Sequence, residues 1–555
     1  MDRHFASLPL LLLISSAAAF SQPVLRSQNP VLNSASYRTP GLPASGIAQG
    51  SIFSVIGTGL GPATFQQATT FPLPTNLSGT SVTVTVGGTS VQAIVILSYA
   101  YQVNAILPST TPLGNGTVTV TYNNQTSAPA PIQVVDSAFG IFTFNASGSG
   151  QAIVTDANYN VNSIIRTFHP GDVGILWGTG LGAISTSDAA APPVGNLPAS
   201  IKVYVGNTQA AVTYQGRSGC CAGLDQIVFT VPAGVQGCHV PIGVQTSKGV
   251  GNIATIAVSA TGSTCSDSIM GQDMVNQLAA GNKVDFGLVR LESSTAPFIG
   301  GPPGAHSYQD WVYATFSEIT PQTAGLAEYG VSSGYCVVVD CSSGCGVNTQ
   351  GTLTLTDSSP AQLDAGASLT MQGQSNPLPV AAAYSGAGFY YSYLNANVVK
   401  FLNSDLNYTV AGSGGARVGA FSVTDTTSIS DLQFTGITST PLSLANDLTL
   451  QWTGGDSKLQ NGQVTIGAYS TPNTNYNPLV ILQCTAPVAA QKFTIPEWVL
   501  SALPPSGAGQ TGSITYPLGW IWLGQYNNPT TFTAPGLDRA IITDVFFHGL
   551  GVYFQ

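Results

Sequence analysis

Charge is what this sequence has least of. Of its 555 residues, 14 are Lys or Arg and 24 are Asp or Glu, so 7% carry charge, against roughly 25% in an average soluble protein. With a net charge of −10 and no basic cluster, nucleic acid and anionic membrane are poor partners. Long apolar runs are also missing. Beyond the N-terminal stretch no segment reaches the roughly 18 apolar residues of a spanning helix, so no transmembrane span is expected there. The five histidines include no His-Glu-x-x-His pair, and no serine-hydrolase elbow is read in the chain. Nothing in the sequence marks an enzyme active site, and no cofactor or metal site is expected.

What is present fits a β protein. Hydrophobic residues make up 43% of the chain, and stretches rich in Val, Ile, Thr, Tyr and Phe can bury enough area to exclude disorder. Ser, Thr, Asn, Gln and Gly do the solvating. At the N-terminus Asp2, Arg3 and His4 precede the apolar run Leu8–Ile14, followed by Ser15-Ser16-Ala17-Ala18-Ala19-Phe20-Ser21. That order describes a secretory signal peptide over residues 1–21, with cleavage after Ala19 or Ser21 fitting equally. A secreted or cell-surface protein is therefore expected.

All eight cysteines lie beyond this segment: Cys220, Cys221, Cys238, Cys265, Cys336, Cys341, Cys345 and Cys484. An even number in an exported chain reads as a disulfide framework. Zinc would need paired Cys-x-x-Cys or Cys/His spacings, which are absent. Adjacent cysteines bridge poorly, so Cys220 and Cys221 are each expected to pair elsewhere, with Cys238 and Cys265 as partners.

An internal repeat organises the first half. Gly50-Ser51-Ile52-Phe53-Ser54-Val55-Ile56-Gly57-Thr58-Gly59-Leu60-Gly61 returns as Gly171-Asp172-Val173-Gly174-Ile175-Leu176-Trp177-Gly178-Thr179-Gly180-Leu181-Gly182. The alternating strand Val82–Gly87 is matched by Ile201–Gly206, and Gln102–Pro108 by Gln226–Pro232. The unit is about 120 residues of short, alternating strands with Gly, Pro and Asn turns, which predicts an antiparallel sandwich. The Gly-Thr-Gly-Leu-Gly run lacks the Lys-Ser/Thr of a phosphate loop and is read as a turn needing positive φ.

These residues, with Gln102-x-Asn104-x-x-x-Pro108 and the opening Asn29–Tyr37, resemble the IPT/TIG immunoglobulin-like fold. More closely, they resemble an uncharacterised Ig-like family abundant in exported acidobacterial proteins. The resemblance covers roughly residues 29–265 and implies surface display or secretion without catalytic residues. Gly414–Phe421 and Leu448–Asp456 resemble a second module of the same exported proteins, one without an assigned activity.

The expected organisation is all-β. A signal peptide over 1–21 precedes Ig-like domains at 22–136 and 137–265, then β-sandwiches at 266–425 and 426–555. A short helix over Ser266–Ala280, with Ile269, Met270, Met274, Val275 and Leu278 as its apolar residues and Gly281 as its stop, is expected to join the halves. The best functional hint is aromatic: Tyr384 and Phe389 with Tyr390, Tyr391 and Tyr393, and Tyr516 with Trp520, Trp522 and Tyr526. Aromatics on a rigid sandwich can stack on sugars or anchor a protein, although alternation should turn half of them into the core. A glycan or a cell-surface protein is the expected partner, with the repeats as spacer and the second half as contact. Self-association through exposed strand edges is a further expectation. The enzymatic alternative is a polysaccharide-active protein, which would need two close carboxylates in a cleft. Calcium at Asp425, Asp431, Asp447 and Asp456 was weighed without a loop signature to support it.

Overall fold

The structure is a computed structural model that describes residues 22–297, 306–324, 330–342, 361–373, 378–381, 388–394, 400–428, 431–437 and 441–555. Its first sandwich has two sheets. Ile52–Thr58 lies between Gln102–Ile106 and the short strands Val24–Leu25 and Val31–Asn33, while Thr80–Val86, Gly114–Tyr122 and Ala130–Val135 build the opposing layer. Thr80–Val86 buries every second residue, so Val82 and Val84 lie beside Val120 and Val118 of the next strand and, with Val86, face Phe53 and Val55 across the core. Period-two alternation produces this directly, because successive side chains leave a strand on opposite faces.

The second sandwich is rolled from one eight-stranded sheet. Thr208–Arg217 belongs to both layers, pairing with Lys202–Val205 up to Ala210 and with Asp225–Thr230 from Ala211 on, with a register shift at Val212/Tyr214. A bulge bends and twists a strand, which is how one strand turns the corner of a sandwich. The glycine turn has the expected conformation in this repeat, with Gly180 and Gly182 at φ +117 and +114°.

Beyond residue 265 the chain departs from two consecutive sandwiches. One ten-stranded sheet takes Val284–Pro297, His306–Ile319, Tyr335–Asp340 and Phe389–Tyr393 from one side of residue 425, and Gln463–Ser470, Val480–Pro487, Gly519–Tyr526 and Arg539–Val552 from the other. Its centre is a parallel pair, Val284–Pro297 against Arg539–Val552. A domain cut at 425/426 would break those ladder bonds, so the expected boundary is replaced by a shared layer. One face of that layer packs on the sheet containing Asn407–Gly412 and Phe421–Thr426, around Val289, Val312, Phe316 and Tyr408. Further along, the same face packs on Leu448–Thr453 and Lys492–Ile495, around Ile466, Leu482, Trp452 and Trp498.

The repeats are docked onto this body. Leu42, Val250 and Ile253 enter the core that holds Trp498, and the Tyr204 and Trp498 rings stack 4.9 Å apart. Buried Arg38 donates to the Pro43 carbonyl at 2.7 Å and to the Ala502 carbonyl. Helix Gln272–Ala279 sits at the expected joint. Its Met274, Val275 and Leu278 pack against Ile164 and Ala257 of the second repeat and against Phe286 and Ile541 of the large sheet. Arms held off by a linker would show none of these contacts, so the repeats form a packed support for the second half.

The cysteines also depart from expectation. Cys238 pairs with Cys265, Cys336 with Cys484 across adjacent strands, and Cys220 with its neighbour Cys221. The reason is placement. Cys238 and Cys265 lie in the core around the helix, whereas Cys220 and Cys221 are exposed in the loop after strand Thr208–Arg217. Cys341 is also disulfide-bonded, and Cys345 lies outside the described residues.

Candidate functional site

The large sheet brings the two aromatic clusters of the sequence onto one face. Register carries Tyr393 across to Trp311, Glu292, Val545 and Tyr526 on four successive strands. Two rows further along, Trp522 lies between Gly549 and Gly467, and in the next row Trp520 lies between Gly551 and Tyr469. Adjacent strands are roughly 4.8 Å apart, so these rings share one face of the sheet although their segments lie about 130 residues apart in the chain. Tyr384, expected in the first cluster, lies outside the described residues.

Glycines let the rings lie flat. A Cβ on Gly467 would meet Trp522 at 1.9 Å, one on Gly549 would meet Trp520 at 2.4 Å, and one on Gly509 would meet Tyr516 at 2.4 Å. A ring lying on glycine backbone presents its π face away from the sheet, the orientation in which a sugar or a second ring can stack.

Burial then sorts the candidates. Tyr390 points to the opposite face, fully buried, with its hydroxyl donating to the Gly366 carbonyl at 2.6 Å. It is core, and so is Trp522, buried with Val545 and Phe547. Tyr391, Trp520 and Tyr526 are half-buried, and Tyr393 is 41% exposed. Arg290 lies between the Tyr313 and Tyr526 rings at 5.2 and 5.1 Å, with Glu292 3.6 Å away. This cation–π sandwich fixes the middle of the face as structure. The open end is at Trp520, beside half-buried Tyr469 and Tyr516 and 45% exposed Tyr476. Burial pushes the Tyr469 hydroxyl far above its ordinary value, with Tyr476 and Tyr516 adding to the shift. The sequence reading missed Tyr469 and Tyr476, which stand alone among Ser, Asn and Pro and give no cluster signal.

The catalytic and metal alternatives find no assembled site among the described residues. Asp425 and Asp544 are close enough to share a hydrogen bond, yet both are buried, and burial pushes Asp544 up to about 9. A carboxyl pair so enclosed is out of a polysaccharide's reach. Asp431, Asp447 and Asp456 accept separately from backbone N–H groups of Gly455, Glu497 and Lys458. They do not converge with Asp425, and no described group of three or more His, Cys, Asp or Glu could hold a metal. Cys238 beside His239 is in a disulfide, and the ring of His239 lies 3.5 Å from Asp267.

One stretch, Gly330-Val331-Ser332-Ser333-Gly334, does fit the letters of Gly-x-Ser-x-Gly, which the motif reading passed over. It is a turn leading into strand Tyr335–Asp340, with no helix after it. The Ser332 hydroxyl accepts from the backbone N–H of His239 at 2.9 Å. The strand–turn–helix geometry that activates such a serine is missing.

No family model matches the chain, and no curated protein matches it. Among solved structures it is similar to a titin I9–I11 tandem, at 7% identity over 68% of this chain and 92% of that one, with a TM-score of 0.13. SGBP-B from a complex xyloglucan utilization locus in Bacteroides uniformis is 10% identical over 73% and 97%, with a TM-score of 0.17. Domains FN1–FN3 of chicken CNTN1 are 8% identical over 71% and 97%, with a TM-score of 0.14. Scores this low say nothing about function, and the tandem-sandwich assignment rests on the strand pairing above.

Proposed function

We propose that this is an exported, non-enzymatic Ig-like multidomain protein of the cell exterior that binds neutral glycan through the open end of its aromatic face. The observation that carries the reading is the set of rings at that end, with Trp520 and Tyr516 laid flat over glycines and Tyr476 exposed beside them. Low charge matches an uncharged ligand, since a glycan is held by ring stacking and neutral hydrogen bonds rather than by ion pairs. The signal-peptide pattern and the disulfides support export. Among the described residues no helix is long and apolar enough to cross a membrane. The IPT/TIG-like and acidobacterial resemblance of the repeats belongs to the same proposal.

The test is affinity electrophoresis of the full mature chain through gels containing xylan, β-glucan or galactomannan, with reducing-sugar release assayed in parallel. Retardation without sugar release, weakened about tenfold in Trp520→Ala, is the expected result. Release of reducing sugar, or retardation that ignores Trp520, overturns it.

A further inference from the structure

The second repeat carries an aromatic platform of its own. Along Val173–Thr179 the residues Gly174, Leu176 and Gly178 turn inward, while Val173, Ile175 and Trp177 face outward. Val173 is 49% exposed, and Ile175 and Trp177 are half-buried. The Trp177 indole is pinned by its Nε1–H, which donates to Thr155 Oγ1 at 3.0 Å. Tyr159 completes the surface. Its ring centre is 6.2 Å from that of Trp177 with only 30° between the planes, and it is 69% exposed.

Tyr159 is held there by a built turn. Its backbone sits at φ +64°, in the left-handed region that bulky residues avoid. Asp156 Oδ1 accepts from the backbone N–H groups of Asn158 and Asn160 at 2.8 and 2.9 Å, and its Oδ2 accepts from Asn160 Nδ2 at 2.8 Å. These bonds hold the Asp156 carboxyl below its ordinary value. Packing does not explain a strained backbone that exposes a tyrosine. Strain kept at an exposed side chain points to a use for that side chain.

The surroundings define the ligand. Across the neighbouring strands, Trp177 and Ile175 stand opposite Gln226 and Val228, and Val228 opposite Tyr214. None of these bears a charge; the Asp156 carboxylate is occupied by its own turn, and the exposed Arg166 guanidinium lies near enough to draw that carboxyl down further. A basic peptide finds no free carboxylate on these strands, and an anionic polymer finds only Arg166, whose charge is already set toward Asp156. A neutral chain of sugar rings has two aromatic faces on which to stack and the Gln226 and Asn158 side chains as hydrogen-bond partners. The first repeat offers a contrast, since its exposed pair Tyr99–Tyr101 meets edge to face at 66° and makes no flat surface.

We infer that the Tyr159–Trp177 face of the second repeat is a glycan-binding site for neutral polysaccharide, separate from the Trp520 end. Two such sites on one rigid body would engage a long chain bivalently, strengthening binding without any new contact.

The experiment uses the full mature chain in gels of xylan, β-glucan and galactomannan, comparing wild type with Tyr159→Ala, Tyr159→Gly, Trp177→Ala and Trp520→Ala. Retardation in at least one polysaccharide should fall about tenfold in each of the Tyr159 and Trp177 variants. Tyr159→Gly separates binding from folding. Glycine accepts the left-handed backbone, so its melting temperature should stay or rise while retardation falls. Loss in Trp520→Ala alone would leave the proposed function standing and overturn this site. Retardation by no polysaccharide would overturn both. A wild-type dimer in sedimentation that Tyr159→Ala converts to monomer would overturn the glycan assignment and make the face a contact between copies.

Discussion

The two repeats share one chain path and one glycine turn, yet they use the outward face of the same strand differently. In the first repeat, Ile52, Ser54 and Ile56 occupy the positions that Val173, Ile175 and Trp177 hold in the second. Ser54 is completely buried, bonded to Ser34 at 2.8 Å and to Asn104 at 2.9 Å, beneath the segment that begins with strand Val31–Asn33. Ile52 is buried in the joint between repeats, with Ile94 and Ile106 and against Ala222 and Phe142. The second repeat leaves that face open. A duplicated fold can thus keep its core pattern while one copy becomes support and the other becomes surface, because only the inward half of each alternating strand is fixed by the sandwich.

The joint between the repeats is the place to break this arrangement. Arg217 and Asp225 form a fully buried ion pair there, and Arg217 also donates to the carbonyls of Gly50 at 3.1 Å and Gly182 at 2.7 Å. Burial pushes the Asp225 carboxyl up even with the guanidinium against it. Arg217→Ala should therefore lose about 3–5 kcal/mol, since it strands a buried carboxylate. Urea denaturation would measure it, and a loss below about 1 kcal/mol would mean the joint is wetter than described here.

The difference between the two outward faces is sharpened by exchanging residues between them. Ser54→Ile should cost about 1–3 kcal/mol by overpacking a closed polar site. Its mirror, Ile175→Ser, should stay within about 0.5 kcal/mol because that face is open. Thermal melts of the two variants should differ clearly, and equal shifts would erase the distinction drawn between the repeats.

Buried Asp225 has a cation beside it, whereas buried Asp544 has another carboxyl, Asp425. Asp544 keeps its proton in the folded state up to about 9. Its raised value means the wild type loses stability as pH climbs from the ordinary carboxylate range toward that point. Asp544→Asn should be nearly neutral at pH 4 and more stable than wild type by several kcal/mol at pH 8, since the penalty grows by roughly 1.4 kcal/mol for each pH unit between. A stability gain that does not grow with pH would show that Asp544 is ionised in the folded chain.

Much of the fold was legible in the chain because it rests on local chemistry. The repeat, the alternating strands, the glycine turn and the helix near Gly271 follow from side-chain period and backbone freedom, which neighbouring residues decide. The site was legible only in part. Composition drew attention to Tyr391, Tyr393, Trp520 and Tyr526, and alternation warned that half of such residues face inward, as Tyr390 does. Which half stays open depends on what packs above the strand, and sequence does not carry that.

Sequence alone therefore determined an all-β chain of low charge with a duplicated first half and cysteines suited to disulfides. Tertiary structure decided the rest. It merged the expected third and fourth domains through a parallel pair of strands, joined neighbouring cysteines by placing the alternatives elsewhere, and docked the repeats on the large sheet. It also set Tyr159 over Trp177 across a turn that no motif announces. Each of these depends on contacts between residues far apart in the chain, and alternation fixes only which way a side chain points, not what it meets.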